Sequence, residues 1–314
     1  MSCKVSVVVP VFNREKLVTR CLDSVCHQSQ KPMELIVVDN GSMDNSVAVI
    51  KKWMEENKDS GIEFHLLTQL EKGACRARQT GLEKASGEYV IFFDSDDEML
   101  PTLIEKAHLE FQKNTDIDIV CWKCRINQLD GGKRIPPFDA RNALENHLIH
   151  TLLRPQGYMV RREFLVKAGG WRKNVEVWND LELGLRILLN DPVIIGVPEV
   201  LAEIFSQEDS ITGVSFSSKK GKWEKTLQEM EKETLLSSHP LKKRIIKILN
   251  YRKAILAAHY YKEGDKKSGE QLKELILEGK GIAEKSLLIF AYDFTKRGWR
   301  GAWRILSPFY KCFN

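Results

Sequence analysis

The sequence predicts an α/β protein, a mostly parallel sheet flanked by helices and followed by an α-helical C-terminal region. Three observations carry this expectation. Short runs rich in Val, Ile and Phe recur before residue 100, with helical apolar spacing between most of them. The clearest of them, Tyr89–Phe93, is apolar throughout, as a strand buried on both faces would be. After Ser217 only helical spacing remains, and the charge changes sign. Residues 219–314 hold 22 Lys and Arg against 11 Asp and Glu, whereas residues 1–218 hold 26 against 32. An acidic first part and a basic last part point to two units with different partners, 1–216 and 217–314.

Taken in order, Lys4–Pro10 reads as a strand, and Asn13 with Arg14-Glu15-Lys16 opens a helix carrying Leu17, Val18, Cys21, Leu22, Val25 and Cys26. Leu35–Asp39 is the second strand; Ser42 or Asp44 caps the helix of Val47, Ile50 and Trp53. Ile62–Leu67 is the third strand, and a helix begins in Gly73–Arg78 and stops at Ser86-Gly87. Tyr89–Phe93 is the fourth. A helix at Thr102–Phe111 and a strand at Ile117–Arg125 follow, then a loop over Gln128–Arg141 with Gly131-Gly132 and Pro136-Pro137. Arg161–Ala168 and Leu181–Leu189 read as helices around an irregular stretch, and Val193–Ile204 as one strand or two. Four helices complete the pattern: Trp223–Leu236, Leu241–Tyr261, Ser268–Leu277 and Ile282–Phe294.

Composition bounds the function. At 314 residues the chain allows one large domain or two smaller ones. No basic stretch followed by an apolar one opens it, so no signal peptide is expected, and no apolar run approaches the ~20 residues that span a bilayer. Seven scattered cysteines then read as reduced thiols in a cytoplasmic protein. Cys121-Trp122-Lys123-Cys124 is a lone CxxC inside a strand-like run and reads as packing. Near the end, Phe290, Tyr292, Phe294, Trp299, Trp303, Phe309, Tyr310 and Phe313 interleave with Lys296, Arg297, Arg300, Arg304 and Lys311. This pattern suits peripheral contact with an anionic membrane on its cytoplasmic face, or equally a helix packed by its aromatic side. No nucleic-acid module accompanies the charge, so nucleic acid is not expected as a partner; self-association is left open.

The chemistry concentrates where Tyr89–Phe93 ends, at Asp94-Ser95-Asp96-Asp97. A strand buried on both faces cannot carry three carboxylates inward, so they belong at its C-terminal edge, where open α/β sheets bind ligands. Crowded carboxylates raise one another's pKa unless a cation holds them. Hard oxygen donors without thiol or imidazole suit Mg²⁺ or Mn²⁺. Asn13, Asp39 and Asn40 end other strands and should line the same crevice. No GxGxxG follows the first strand and no GxxxxGK[ST] occurs, so a dinucleotide fingerprint and a Walker loop are excluded.

Val5–Asn13, Val37–Ser42, Gly73–Arg78 and Phe93–Asp97, in this order, resemble glycosyltransferase family 2 over roughly residues 4 to 215. The resemblance implies a GT-A fold, a Rossmann-like sheet that binds a nucleotide-diphospho-sugar with a divalent metal, Mn²⁺ or Mg²⁺. It implies donor contacts at Pro10, Phe12, Asn13, Asp39, Asn40, Arg78, Asp94, Ser95 and Asp96, with Asp96 and Asp97 at the metal. Phe12 would stack on the base, Asp39 accept from a uracil N–H, and Arg78 steady base or diphosphate. It implies a catalytic base at Asp180, opening a late helix whose N-terminus would keep it ionised; an N-cap role for Asp180 and a base role for Glu182 compete. Two positions depart from the family pattern. Asn179 stands where a Glu usually precedes the base, and Gln207, in Phe205–Ile211, where a histidine often lies. The implied function is metal-dependent, inverting transfer of a sugar, UDP-linked by expectation, to a glycan or lipid-linked glycan, as in surface polysaccharide biosynthesis. The alternative is a catalytically silent nucleotide-sugar-binding scaffold of the same fold.

Overall fold

The computed structural model describes residues 4–207, 215–299 and 301–312, with the side chains of 310–312 left undescribed. Arg300, Phe313 and positions 208–211 of the late loop lie outside the described residues, as do the side chains of Tyr310 and Lys311. The chain divides into two units, residues 1–208 and 209–314.

The first unit is built on β1 (Val5–Val11), whose valines are all buried. It pairs in parallel with β2 (Glu34–Asp39) on one side and β4 (Tyr89–Phe92) on the other, so that Val7 faces both Leu35 and Ile91. Beyond β2 lies β3 (Glu63–Thr68), also parallel. Helices α1 (Val18–Cys26), α2 (Ser46–Glu56) and α3 (Ala74–Lys84) make the crossovers. Alternation along β1 sorts the core into two layers. Val7 and Val9 share a cluster with Leu22 of α1 and Ile50 of α2, whereas Val8 joins Leu82 of α3. At Gly81 a Cβ would lie 2.2 Å from Val8 Cγ1, so only glycine lets α3 seat this closely.

Past β4 the sheet becomes mixed. The strand order is β3-β2-β1-β4-β8-β6-β9-β5, with β7 on β6. After β5 (Glu98–Met99) and α4 (Leu103–Lys113) come β6 (Ile119–Asn127), β7 (Lys133–Arg134) and α5 (Ala143–His150). Next are β8 (Tyr158–Arg161), α6 (Arg162–Lys167), α7 (Asn179–Leu188) and β9 (Ile194–Phe205). Here β8 runs antiparallel to both β4 and β6, while β6 and β9 are parallel. Val193–Ile204 therefore forms a single strand, and the register against β6 shifts between Trp122 and Lys123, where Pro198, which has no N–H to give, is passed over.

Several expectations are corrected. β8 and α5 had no counterpart in the pattern. β8 is four residues long without alternation and runs directly into α6, so its strand character comes from its neighbours. Asn13 does not open a helix; it takes φ +52°, and α1 begins at Val18. Asp44, not Ser42, holds the start of α2, accepting from the Ser46 amide at 2.9 Å, while Ser42 Oγ receives the Asn13 amide at 2.9 Å. Cys121 and Cys124 are both buried, and burial pushes each thiol up to about 12.

The second unit is helical: α8 (Lys222–Leu236), α9 (Lys242–Lys262), α10 (Lys266–Leu277), α11 (Ile282–Lys296) and α12 (Ala302–Cys312). Asp265 caps α10 through the Ser268 amide at 3.2 Å, closing the hairpin after Gly264. Trp303 turns inward onto Tyr251, their rings 5.0 Å apart, whereas Phe290, Trp299 and Phe309 are exposed. Among the described residues no helix is long and apolar enough to cross a membrane.

Candidate active site

The parallel half of the sheet brings the polar strand ends together, and each is tied differently. At the end of β2 the buried Asp39 carboxylate accepts the amides of Gly41 at 3.2 Å and Ser42 at 3.3 Å, so it shapes its own loop. Asn40 is fully used by backbone. Its Nδ2 donates to the carbonyls of Gln69 (2.7 Å) and Glu71 (2.8 Å), and its Oδ1 accepts from Gly73 N (2.7 Å). It staples the β2 end to the entry of α3. Asn13 Oδ1 accepts from Met43 N at 2.8 Å, fastening the β1 loop to the β2 loop. Pro10 is half-buried within β1, and the Phe12 ring is 40% exposed, with Lys72 Nζ 5.7 Å from its centroid.

Asp94 to Asp97 form a tight turn between β4 and β5, closed by Asp97 N donating to Asp94 O at 3.1 Å. Asp94 accepts from Arg78 Nη2 and from Gln156 Nε2, both at 2.6 Å. Asp97 is only 2% exposed; its oxygens accept from Gln156 Nε2 at 2.5 Å and from the Phe205 amide at 2.8 Å. Burial, then the charges of Asp94 and Asp96, push its carboxyl well above the ordinary range, against the pull of those two donors. Asp96 is partly exposed, with Arg14 Nε 3.4 Å from Oδ2 and its carbonyl receiving Arg20 Nη2. Ser95 is buried within the turn. The Arg20 guanidinium lies 3.8 Å from the Phe205 ring centroid.

The mixed half supplies the facing wall, and Arg78 of the parallel half reaches across to it. Arg78 on α3, 4.7 Å from the Trp171 ring, extends Nη1 to Asn179 Oδ1 at 3.4 Å. One guanidinium thus touches both the carboxylate turn and the first residue of α7. Arg78 Nε and Arg20 Nε are buried without a hydrogen-bond partner among the described residues, two donors left over beside the carboxylates. Asp180 sits in the first turn of α7, after Trp178 at φ +49°. It is not the cap, a place taken by Trp178, and its carboxylate accepts the amide of the next residue, Leu181, at 2.9 Å. Burial raises its pKa, with the Leu181 amide, Arg154 and Arg78 pulling the other way, which makes it a stronger base than an ordinary carboxylate. Glu182 is committed elsewhere, in a buried ion pair with Arg186 at 2.7 Å and with Arg172 at 3.1 Å. Among the described residues, Gln207 Nε2 donates to Phe205 O at 3.5 Å.

Whether these residues suit a divalent cation turns on the donor set. It is all oxygen and crowded with like charge, which fits Mg²⁺ or Mn²⁺. Asp97 faces inward with both oxygens engaged, whereas Asp96 is the partly exposed carboxylate of the two. Among the described residues no three His, Cys, Asp or Glu side chains converge into a cage. One or two carboxylates completed by waters and substrate phosphates need no such cage. Sequence reasoning missed Gln156, the Phe205 amide, Arg14 and Arg20. Only Pro155-Gln156-Gly157 left a mark, as turn residues, and a turn does not disclose a partner some sixty positions earlier.

Comparison with known proteins bears on this geometry. The model of the family described as Glycosyl transferase family 2 matches residues 6–165, half of the chain. A GalNAc(5)-diNAcBac-PP-undecaprenol beta-1,3-glucosyltransferase of Campylobacter jejuni is 37% identical over 109 residues, 33% of this chain and 35% of that protein. The segments matched in the first curated relatives span about a third of those proteins' own lengths. Among solved structures, S. aureus TarS 1-349 in complex with UDP-GlcNAc superposes with a TM-score of 0.70 at 17% identity, covering 95% of this chain and 93% of that one. Mannosyltransferase PcManGT from Pyrobaculum calidifontis, in complex with GDP-Man and Mn²⁺, gives 0.61 at 17% identity, covering 99% and 85%. At such identity these structures speak for the fold, which is GT-A. The sheet that carries the carboxylate turn and the segment matched by the family model are thus largely the same stretch of chain, and the chain belongs to glycosyltransferase family 2.

Proposed function

We propose that this chain transfers a sugar from a nucleotide-diphospho-sugar, UDP-linked, to a glycan or lipid-linked glycan with inversion at the anomeric carbon. The observation that carries the reading is Arg78, whose guanidinium joins Asp94 at 2.6 Å to Asn179 at 3.4 Å and so gathers the carboxylate turn and the start of α7 around one cation. Asp180 is the base. It takes the acceptor hydroxyl proton while that oxygen bonds to the anomeric carbon and the bond to the diphosphate breaks. Phe12, Asp39 and Arg78 hold the nucleoside side of the donor; Pro10, Asn13 and Asn40 set the loops around it, with Asp94 and Ser95 in the turn. Asp96, backed by Asp97, would hold a divalent cation, which when bound supplies positive charge to the departing diphosphate. Structural neighbours carrying UDP-GlcNAc, or GDP-Man with Mn²⁺, support a nucleotide-sugar donor. The undecaprenol in the Campylobacter relative's name supports a lipid-linked acceptor.

Residues 1–216 would then be the catalytic domain and 217–314 a basic accessory region. In the latter, Trp299, Phe290, Ile305 and Phe309 are exposed beside Arg297 and Arg304, and a groove of about 420 Å³ is lined by Phe290, Phe294, Arg297 and Trp299. Apolar rings among cations match the headgroup layer of an anionic membrane. Deletion of Gly298–Asn314 should abolish flotation with anionic liposomes; unchanged flotation would remove this part of the reading.

The donor reading is tested by calorimetric titration of UDP, GDP, CDP and dTDP, each with Mn²⁺ and with EDTA. Metal-dependent binding of UDP is the expected result. Binding of none would discard the donor site. Asn179 in place of a glutamate favours a second reading, a scaffold that binds nucleotide-sugar without turning it over. Sugar transfer or donor hydrolysis by the purified protein would exclude that scaffold.

A further inference from the structure

Gln156 lies in the turn Pro155–Gly157 that leads into β8, and it is 5% exposed. Its Nε2 carries two hydrogens, and each has a carboxylate: Asp94 Oδ2 at 2.6 Å and Asp97 Oδ2 at 2.5 Å. The reversed amide would set Oε1 against both carboxylates, so the orientation is dictated. The turn is fastened as well. The Gln156 carbonyl accepts from Trp122 Nε1 at 2.8 Å, and at Gly157 a Cβ would approach Arg154 Cγ to 3.0 Å. The other oxygens of the pair are occupied by Arg78 on Asp94 and by the Phe205 amide on Asp97.

Holding the buried Asp97 and the partly exposed Asp94 within reach of one neutral nitrogen is costly, because like charges repel the more strongly where water is excluded. An apolar side chain with apolar partners would be the more stable choice. Local rules broken in this way concentrate at functional sites. We propose that Gln156 is a positioning residue for the donor site. Its amide sets the spacing and direction of Asp94 and Asp97, and through the turn between them the place of Asp96. This rests on the reading of the carboxylate turn as the donor site. Gln156 touches neither donor nor cation; it acts through the two aspartates.

The test compares wild type, Gln156→Met and Trp122→Phe by calorimetric titration of UDP with Mn²⁺ and by thermal unfolding of each protein without ligand. Methionine keeps the length and loses both hydrogen bonds. Trp122→Phe loosens the same turn but leaves the amide on its carboxylates. Gln156→Met should weaken binding about tenfold or more, the loss expected for charge-assisted hydrogen bonds. Trp122→Phe should lower the Tm and leave Kd within about twofold. Should Gln156→Met fail to fold, Gln156→Glu keeps the shape while adding a third carboxylate, and should weaken binding at least as much. Unchanged affinity in the Gln156 variant, or affinity that merely follows Tm across both variants, would overturn the proposal. Wild-type protein that does not bind UDP with Mn²⁺ would remove the UDP donor reading itself, and this inference with it.

Discussion

The two halves of the sheet divide the work. The parallel half, β3-β2-β1-β4, contributes the carboxylates and their loops: Asp39, Asn40 and the turn from Asp94 to Asp97. The mixed half and its helices contribute the groups that answer them: Gln156 before β8, the Phe205 amide ending β9, and Asp180 on α7. Charges thus come from strand ends that adjacent parallel strands align. The means of holding them comes partly from Arg14, Arg20 and Arg78 of the same half and partly from antiparallel and distant segments. Within one crevice, carboxylates also fare differently by burial. Asp97 and Asp180 are pushed up by burial, while Asp96 remains partly exposed beside Arg14.

The largest effect should follow from the mixed half. Asp180→Asn should reduce transfer by about 10³-fold, within the range for a lost general base, while calorimetry finds nucleotide binding unchanged. A raised pKa means that the folded protein holds this proton to higher pH than the unfolded chain. Between the ordinary carboxylate value and the raised one, Asp180 therefore lowers stability as pH rises. The asparagine variant should consequently melt higher near neutral pH. In the wild type the rate should rise with pH through a limb above the ordinary carboxylate range. A limb at the ordinary value, or normal turnover by the variant, would break the assignment.

A comparison inside the turn is next. Asp96→Ala should abolish metal-dependent nucleotide binding and leave Tm nearly unchanged. Asp97→Ala should instead lower stability, since it leaves the Phe205 amide without an acceptor at about 1–3 kcal/mol; relief of crowding with Asp94 and Asp96 offsets part of this. Denaturant midpoints and titrations on both variants would separate the outward carboxylate from the inward one. Equal behaviour of the two would erase the distinction.

The smallest effect belongs to the parallel half away from the crevice. Glu34, at the start of β2, accepts from Ser6 Oγ at 2.7 Å, Ser86 N at 2.7 Å and Ser86 Oγ at 2.8 Å. Burial works to raise its pKa, yet these donors hold it below the ordinary value. Its contribution is therefore present above the unfolded carboxylate pKa of ~4.3 and is lost as pH falls through the lowered folded value. Glu34→Gln should cost about 1–2 kcal/mol at pH 7, with the gap from wild type closing at acid pH in urea unfolding. A gap independent of pH would assign the loss to packing instead.

Much of the parallel half is legible because its information is local. Val7, Val8 and Val9 are apolar without alternation, and strands of that kind are covered on both faces; the structure divides them between two core layers as the pleat requires. The acidic stop after Phe93 marks a strand end for the same reason. β8 was not legible, since Tyr158–Arg161 is made a strand by β4 and β6. The packing of the tail was half legible. Aromatic periodicity announced α11 and α12 as amphipathic, but which rings turn inward, as Trp303 does, depends on Tyr251 being there to receive them.

By itself the sequence determined the order of elements and the buried strands of the parallel half, the crowding of Asp94, Asp96 and Asp97, and the ordered motifs that resemble one family. Tertiary structure alone decided which carboxylate is partly exposed, that Gln156 answers two of them, that Asp180 is not a cap, and that burial raises its pKa. The physical reason is range. Periodicity and turn chemistry act over a few residues along the chain. Hydrogen-bond partners and desolvation are set by segments sixty to a hundred positions apart, and these meet only once the sheet has closed.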